Sequence, residues 1–306
     1  MEPAAARHVQ EIAEMRRRQG ALLPWGARAA RYSNSAPSSK IVSAHDINSA
    51  GGGATTTKVV HFIRHGQAMH NALAAASPVK CGCKRLEPNG RDKPKDNCPY
   101  NAPAVFDASL TGLGQEQALQ LADSCAALGV QLIVSSPLQR TLQTALYALG
   151  DAIDGERVCP VLAHENLRER AGMHLCDRRR DTAAILAEHG TRVNLDGLSP
   201  TDQLWTDQRE SLDSVAERCA AFVGWLMQRP EEHIVVTSHH HFLLVLFHAV
   251  LMCDGDEELL RPFAVAELRS VQLRPVESMD GAPRGRVPRG RGAAAVPAGA
   301  VDCRLP

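Results

Sequence analysis

Lys58-Val59-Val60-His61-Phe62-Ile63 is a short apolar run that stops at Arg64-His65-Gly66-Gln67. A β-branched and aromatic run of this length, without helical spacing, reads as a buried strand. A helical stretch over 67–75 follows it. The same arrangement recurs three times. A strand at 131–134 precedes Ser135-Ser136-Pro137-Leu138-Gln139-Arg140, and one at 158–162 leads to Leu167-Arg168-Glu169-Arg170. A third, at 233–237, precedes Ser238-His239-His240-His241. The intervening segments carry helix spacing: 111–128, 137–149, 242–252, and above all 207–228, with Leu212, Val215, Cys219, Phe222 and Leu226 on one face. A last strand is expected within 265–273. Strands alternating with helices predict an α/β fold, a three-layer sandwich with a mostly parallel central sheet.

The chain has 306 residues, with 34 basic and 34 acidic side chains. The longest apolar run, from Phe242 to Phe247, is far shorter than the roughly 18 residues of a membrane span. Zero net charge and 4% aromatic content argue against a nucleic-acid partner, which needs many phosphate contacts or stacking platforms. Nine cysteines, an odd number, with no secretory signal pattern, point to a reducing compartment and a cytoplasmic location.

Charge divides the chain. Residues 1–57 hold seven basic and four acidic side chains and residues 276–306 five and three, so 58–275 carries −5. The first segment reads as a disordered or weakly helical extension and the last as a disordered Gly/Pro/Arg tail. The folded domain is expected at 58–275. An Ala/Arg/Ser bias leaves organelle import as an alternative for 1–57, against which stand Glu2, Glu11 and Glu14. Residues 77–106 form a Lys/Pro-rich insertion, expected to be mobile. Its Cys81, Cys83 and Cys98 have no histidine between them to complete a tetrahedral site. The expectation is free cysteines, no metal, and no response to a chelator.

In sheets of this kind ligands sit beyond the carboxyl ends of the strands. Four strand ends here deliver Arg64, His65, Arg140, Glu169 and His239 to one edge. The set contains a nucleophile, cations for non-bridging oxygens and an acid for a leaving group, which suits phosphoryl transfer.

These blocks resemble the histidine phosphatase superfamily, the phosphoglycerate-mutase-like fold. The resemblance rests on Arg64-His65-Gly66-Gln67 with Asn71, Leu110-Thr111-x-x-Gly114, Ser136-Pro137-x-x-Arg140-x-x-Gln143-Thr144, Leu167-Arg168-Glu169-Arg170 and Ser238-His239. Gln67-x-x-His70-Asn71, the run from His174 to Arg179, and Leu204-Trp205 with Arg209-Glu210 echo the eukaryotic plant and fungal type. The resemblance implies His65 as nucleophile, Arg64 and Arg140 on the equatorial oxygens, and His239, when protonated, as a third cation. Glu169 would serve as acid and then base, with a pKa raised by the bound phosphate. Asn71, Gln67 and His240 complete an implied substrate-binding set. It implies no cofactor and makes a metal unnecessary. His61 and His70 read as structural, and Arg178, Arg179 and Arg180 as a solvated charge run.

The expected activity is a metal-independent phosphatase acting on a small phosphomonoester through phosphohistidine. A mutase remains open, as does a catalytically weak phospho-ligand binding or scaffold protein. Superfamily mutases carry a Gly-Trp segment before the Leu-Thr block. Pro103-Ala104-Val105-Phe106-Asp107-Ala108-Ser109 contains neither residue. Protein partners are not legible.

Overall fold

The computed structural model describes residues 57–79, 81, 83, 97–154, 159–253, 256–275 and 301–304, together with Gln10. The readings made for 1–56 and 276–300 lie outside the described residues.

The quoted stretch forms β1 (Lys58–Arg64). The chain continues through α1 (Met69–Ala76), α2 (Gly112–Leu119) and α3 (Ala122–Ala126) to β2 (Leu132–Ser135). Next come α4 (Gln139–Ala148), α5 (Gly150–Asp154), β3 (Val161–Ala163), α6 (Thr182–His189), β4 (Val193–Asn194) and α7 (Leu212–Met227). Then follow β5 (His233–Ser238), α8 (His240–Val245), β6 (Leu251–Met252), α9 (Glu257–Leu260), β7 (Leu268–Pro275) and β8 (Val301–Arg304). The strands make one sheet in the order β4-β3-β2-β5-β1-β7-β8-β6. β4, β3, β2, β5 and β1 run parallel, while β7 is antiparallel to β1 and to β8.

Both faces of this sheet are covered, which explains why β1 and β5 read as continuous apolar runs rather than alternating ones. Val60, Phe62, Val134, Ile234 and Val236 face a cluster built with Val215, Cys219, Phe222 and Leu226 of α7 and Phe242, Leu243 and Phe247. The opposite pleat, Ile63, Ile133 and Val235, packs against Leu142, Ala145 and Leu146 of α4 and Ile185 of α6. Each such side chain contributes about 1.5–3 kcal/mol through burial. The result is a three-layer sandwich. Among the described residues no helix is long and apolar enough to cross a membrane.

Several boundaries differ from the sequence reading. α7 opens at Leu212, because Ser211 caps it by accepting a hydrogen bond from the Ser214 amide at 3.1 Å. The residues before the cap are engaged elsewhere, Glu210 by the Ala171 amide and by Arg218. The helix expected over 242–252 ends earlier, in a π-turn at Leu246–Val250, and its last two residues form β6. The expected tail also needs correction. Its Val301–Arg304 pair with β7 and β6, and Val301 and Cys303 are buried in the core.

Candidate active site

Strand register carries the candidate residues to one edge. Arg64 of β1 lies opposite Ser238 of β5, and Ser135 of β2 lies opposite both Thr237 and Ala163. His65 and His239 therefore leave the sheet side by side after β1 and β5, and Ser136 and His164, the latter five residues before Glu169, leave it one residue earlier in register after β2 and β3. Because β1 and β5 are neighbours, the His65 and His239 rings stand edge to face, 5.2 Å between centroids.

The loop after β1 is held by the other motif blocks. Gly66 N donates to Thr144 Oγ1 at 3.1 Å, and Gln67 N to Gln117 Oε1 at 2.9 Å. Leu110 N donates to Gln143 Oε1 at 2.8 Å. A Cβ on Gly114 would stand 2.0 Å from the Gln67 carbonyl oxygen, so only glycine admits this approach of α2 to the loop. Gln143, Thr144 and the Leu-Thr-x-x-Gly block thus position backbone rather than touch the central side chains.

At the centre, His65 is 2% exposed and its Nδ1 lies 2.7 Å from the Gly66 carbonyl oxygen. A carbonyl can only accept, so Nδ1 carries the proton and Nε2 keeps a lone pair. Burial first, then Arg140, Arg64 and His70, push the His65 pKa well below 6.5 and keep the ring neutral. Arg140 is buried, donating to the Cys176 carbonyl at 2.6 Å and to Asp177 Oδ1 at 2.8 Å, while its Nε has no hydrogen-bond partner among the described residues. His239 Nε2 lies 2.8 Å from Ser136 Oγ, and its Nδ1 is likewise unpartnered. Buried polar atoms without partners are uncommon, and these two belong to side chains beside His65. Arg64 reaches the Phe263 carbonyl at 2.7 Å and acts electrostatically on His65.

Two further groups at the site have pKa values displaced from their ordinary positions. His239 is neutral here: burial, Arg140 and His65 hold its pKa well below 6.5. Glu169 is ionised. Burial alone would raise its pKa, but the His241 ring and the Arg170 amide hold it well below 4.5. The carboxylate accepts from Arg170 N at 2.8 Å and His241 N at 3.1 Å, with His241 Nδ1 3.3 Å from Oε1.

The implied substrate-binding residues are placed less centrally. Gln67 Oε1 accepts from Thr111 Oγ1 at 2.9 Å, and Asn71 Oδ1 from the Ala68 amide at 3.0 Å, closing the first turn of α1. His240 opens α8, partly exposed, with its ring 5.1 Å from that of His241. His61, at 2.8 Å from Ser270 Oγ, sits in the sheet as expected. His70 is buried on α1, 5.9 Å from the His65 ring, with Nδ1 unpartnered among the described residues. The charge run is not solvated as a whole. Arg179 is buried against Glu165 at 2.9 Å, and Arg180 pairs with Asp107 at 3.2 Å. Arg178 is the exposed member, over the rings of Trp205 and Phe106.

Sequence reasoning missed Asp177, which bridges Arg140 and Arg209, each at 2.8 Å. Burial would raise its pKa, but Arg209 and Arg140 together hold it below the usual 3.8. Its signal was the His174-to-Arg179 run, noted as an echo and given no role. The second half of the insertion also departs from expectation. Pro99–Asn101 and Pro103–Val105 form short turns, and Tyr100 lies 6.0 Å from the His70 ring and 5.1 Å from that of His174. The missing histidine of the cysteine group is His174: with Cys81, Cys83 and Cys98 it places four ligand atoms within 4.8 Å of one another.

A family model described as "Histidine phosphatase superfamily (branch 1)" matches residues 104–277, a span that opens after the Arg64-His65-Gly66 block. An Arabidopsis thaliana phosphoglycerate mutase-like protein is 31% identical over 251 residues, covering 71% of this chain and 84% of the relative. Among solved structures, similarity extends to a mycobacterial glucosyl-3-phosphoglycerate phosphatase (22% identity, TM-score 0.40, 71% of this chain and 90% of that one). It extends also to a phosphoglycerate mutase from Bacillus anthracis str. Sterne (15% identity, TM-score 0.45, 71% and 88%). With its matched span and this relative, the chain belongs to the histidine phosphatase superfamily.

Proposed function

We propose that the chain hydrolyses a small phosphomonoester through a phosphohistidine at Nε2 of His65. The observation that carries this is the His65 tautomer: Nδ1 is tied to the Gly66 carbonyl at 2.7 Å, so the lone pair on Nε2 is fixed beside buried cations. Nε2 attacks phosphorus and forms the N–P bond as the P–O bond to the alcohol breaks. The substrate enters as its monoanion and passes its proton to Glu169, which delivers it to the leaving oxygen. Water then attacks the phosphohistidine, gives its proton to Glu169, and releases phosphate and neutral His65. Arg64 and Arg140 supply positive charge to the equatorial oxygens, so this reading calls for no metal at the phosphoryl group.

Hydrolysis rather than transfer between two positions of a phosphoglycerate is supported by the state of the arginines. A mutase must hold a carboxylated intermediate, yet Arg168 is paired with Asp202 at 2.7 Å, Arg179 with Glu165, Arg180 with Asp107, and Arg209 with Asp177. Pro103 to Ser109 also lacks the Gly-Trp of superfamily mutases. The mutase stands as the second reading, favoured by the near-complete burial of His65 and His239, which limits water.

The test supplies 3-phosphoglycerate with a catalytic amount of 2,3-bisphosphoglycerate and, separately, a panel of phosphorylated metabolites. Phosphate release, with acid-labile, base-stable label trapped on His65, is the expected result. Formation of 2-phosphoglycerate faster than phosphate would replace the phosphatase reading. A folded protein that binds phosphate without turnover of any ester would replace both with a binding role.

A further inference from the structure

We propose that Cys81, Cys83, Cys98 and His174 bind one zinc ion in a closed structural site that ties the 77–106 insertion to the wall of the active site. The four ligand atoms lie within 4.8 Å of one another, and none of the three cysteines is in a disulfide. Cys81 Sγ stands 3.5 Å from His174 Nε2. With Zn–S near 2.3 Å and Zn–N near 2.0–2.1 Å, the S···N edge of a tetrahedron is roughly 3.6 Å. The unfilled cluster therefore already has one edge at the length a bound ion requires.

The donor set selects the metal. Three thiolates and one imidazole are soft and borderline ligands that suit a tetrahedral zinc centre, and four protein ligands leave no open position for catalysis. The other ring nitrogen of His174 completes the case. Nδ1 points to Asp177 Oδ2 at 3.9 Å, the direction of the carboxylate–histidine pairs that orient zinc ligands. His174 also lies with Cys176 and Asp177 in a second tight group, but there both Asp177 oxygens are already engaged by Arg140 and Arg209. The Cys-Gly-Cys spacing is one residue shorter than the common zinc pattern. The site is thus assembled by the fold, since His174 lies 93 positions beyond Cys81.

What the ion would do follows from its neighbours. Cys83 and Cys98 are buried with Met173, and Tyr100 packs against them. From the cluster one path runs through His174 and Asp177 to Arg140, and another through Tyr100 and His70 to His65. The ion would act as a clamp holding the insertion against those two paths, in a folding role like that of structural zinc generally.

The test uses full-length, tag-free protein purified without added metal. One zinc per chain by elemental analysis is expected. Exchange for cobalt should give the thiolate charge-transfer and intense d–d bands of a tetrahedral cobalt site with sulfur ligands. Cys98→Ser and Cys81→Ser should lose that spectrum and the zinc and melt at lower temperature, while Cys159→Ser keeps all three properties. Metal-free protein with nine reactive thiols, or a disulfide among the three cysteines, overturns the proposal. So does a cobalt spectrum without sulfur charge transfer, which would mean that the three thiolates do not hold the ion. If the serine variants do not fold, the wild-type cobalt spectrum still decides.

Discussion

Glu169 and His241 form a buried pair at the edge of the sheet, Oε1 of the carboxylate 3.3 Å from Nδ1 of the ring. Together with the amides of Arg170 and His241 it holds the Glu169 pKa well below the usual carboxylate value. The proton for the leaving group must then arrive with the substrate. On the proposed mechanism, kcat/KM for an alkyl phosphate falls as pH rises above the second phosphate pKa, about 6. A profile that stays flat to pH 8 would show that the free enzyme already holds the proton. Glu169→Gln should cost about 10²–10⁴ in rate with alkyl esters and much less with nitrophenyl phosphate, whose leaving group needs no acid.

Asp177 holds two buried arginines, so removing its charge strands both. Asp177→Asn should destabilise the fold by about 3–5 kcal/mol, as expected when a buried pair loses one partner. It should also weaken vanadate binding, because Arg140 loses the anion that aims it. Urea unfolding and vanadate inhibition measured on the same variant check the two effects. Wild-type stability with wild-type inhibition would mean that Arg140 is positioned by the Cys176 carbonyl alone.

The last strand matters to the sheet. Leu273 lies opposite Cys303 and Leu251 opposite Val301, and Val301 and Cys303 are buried. Deleting 301–306 uncovers the outer edge of β7 and opens the core beneath it, so the shortened chain should melt lower and aggregate on heating. Scanning calorimetry with light scattering reads both. An unchanged melting temperature would show that β8 adds nothing to the sheet.

Buried neutral histidines set an acid limit. Burial holds His164 to about 4, burial and His233 hold His61 to about 4, and burial with Arg140 holds His70 to about 3. Each takes up its proton in the unfolded chain first, near 6.5. Stability is therefore full above about pH 6.5 and lost progressively as pH falls toward 4. His164 Nδ1 accepts the Asn166 amide at 3.2 Å, a contact that an asparagine oxygen can replace. His164→Asn should have a smaller difference in unfolding free energy between pH 8 and pH 5 than the wild type. It should also be less stable at pH 8, having lost packing on Phe222 and Trp225. An undiminished difference would remove His164 from the acid response.

The sequence alone determined that this chain forms a three-layer α/β sandwich and that Arg64, His65, Arg140, Glu169 and His239 follow strand ends. Both are local facts: apolar period and turn residues act within a few positions, and parallel strands must all end at one edge. Tertiary structure decided the rest. Strand order set β1 beside β5 and so His65 beside His239. Protonation depended on burial and on charges from distant elements, which displace the pKa values of Glu169 and His239. Asp177, His70 and His174 gained meaning only from what the fold placed next to them. β8 could not be read because a Gly/Ala/Pro-rich context carries no strand pattern, and Val301–Arg304 become a strand only through the edges they pair with.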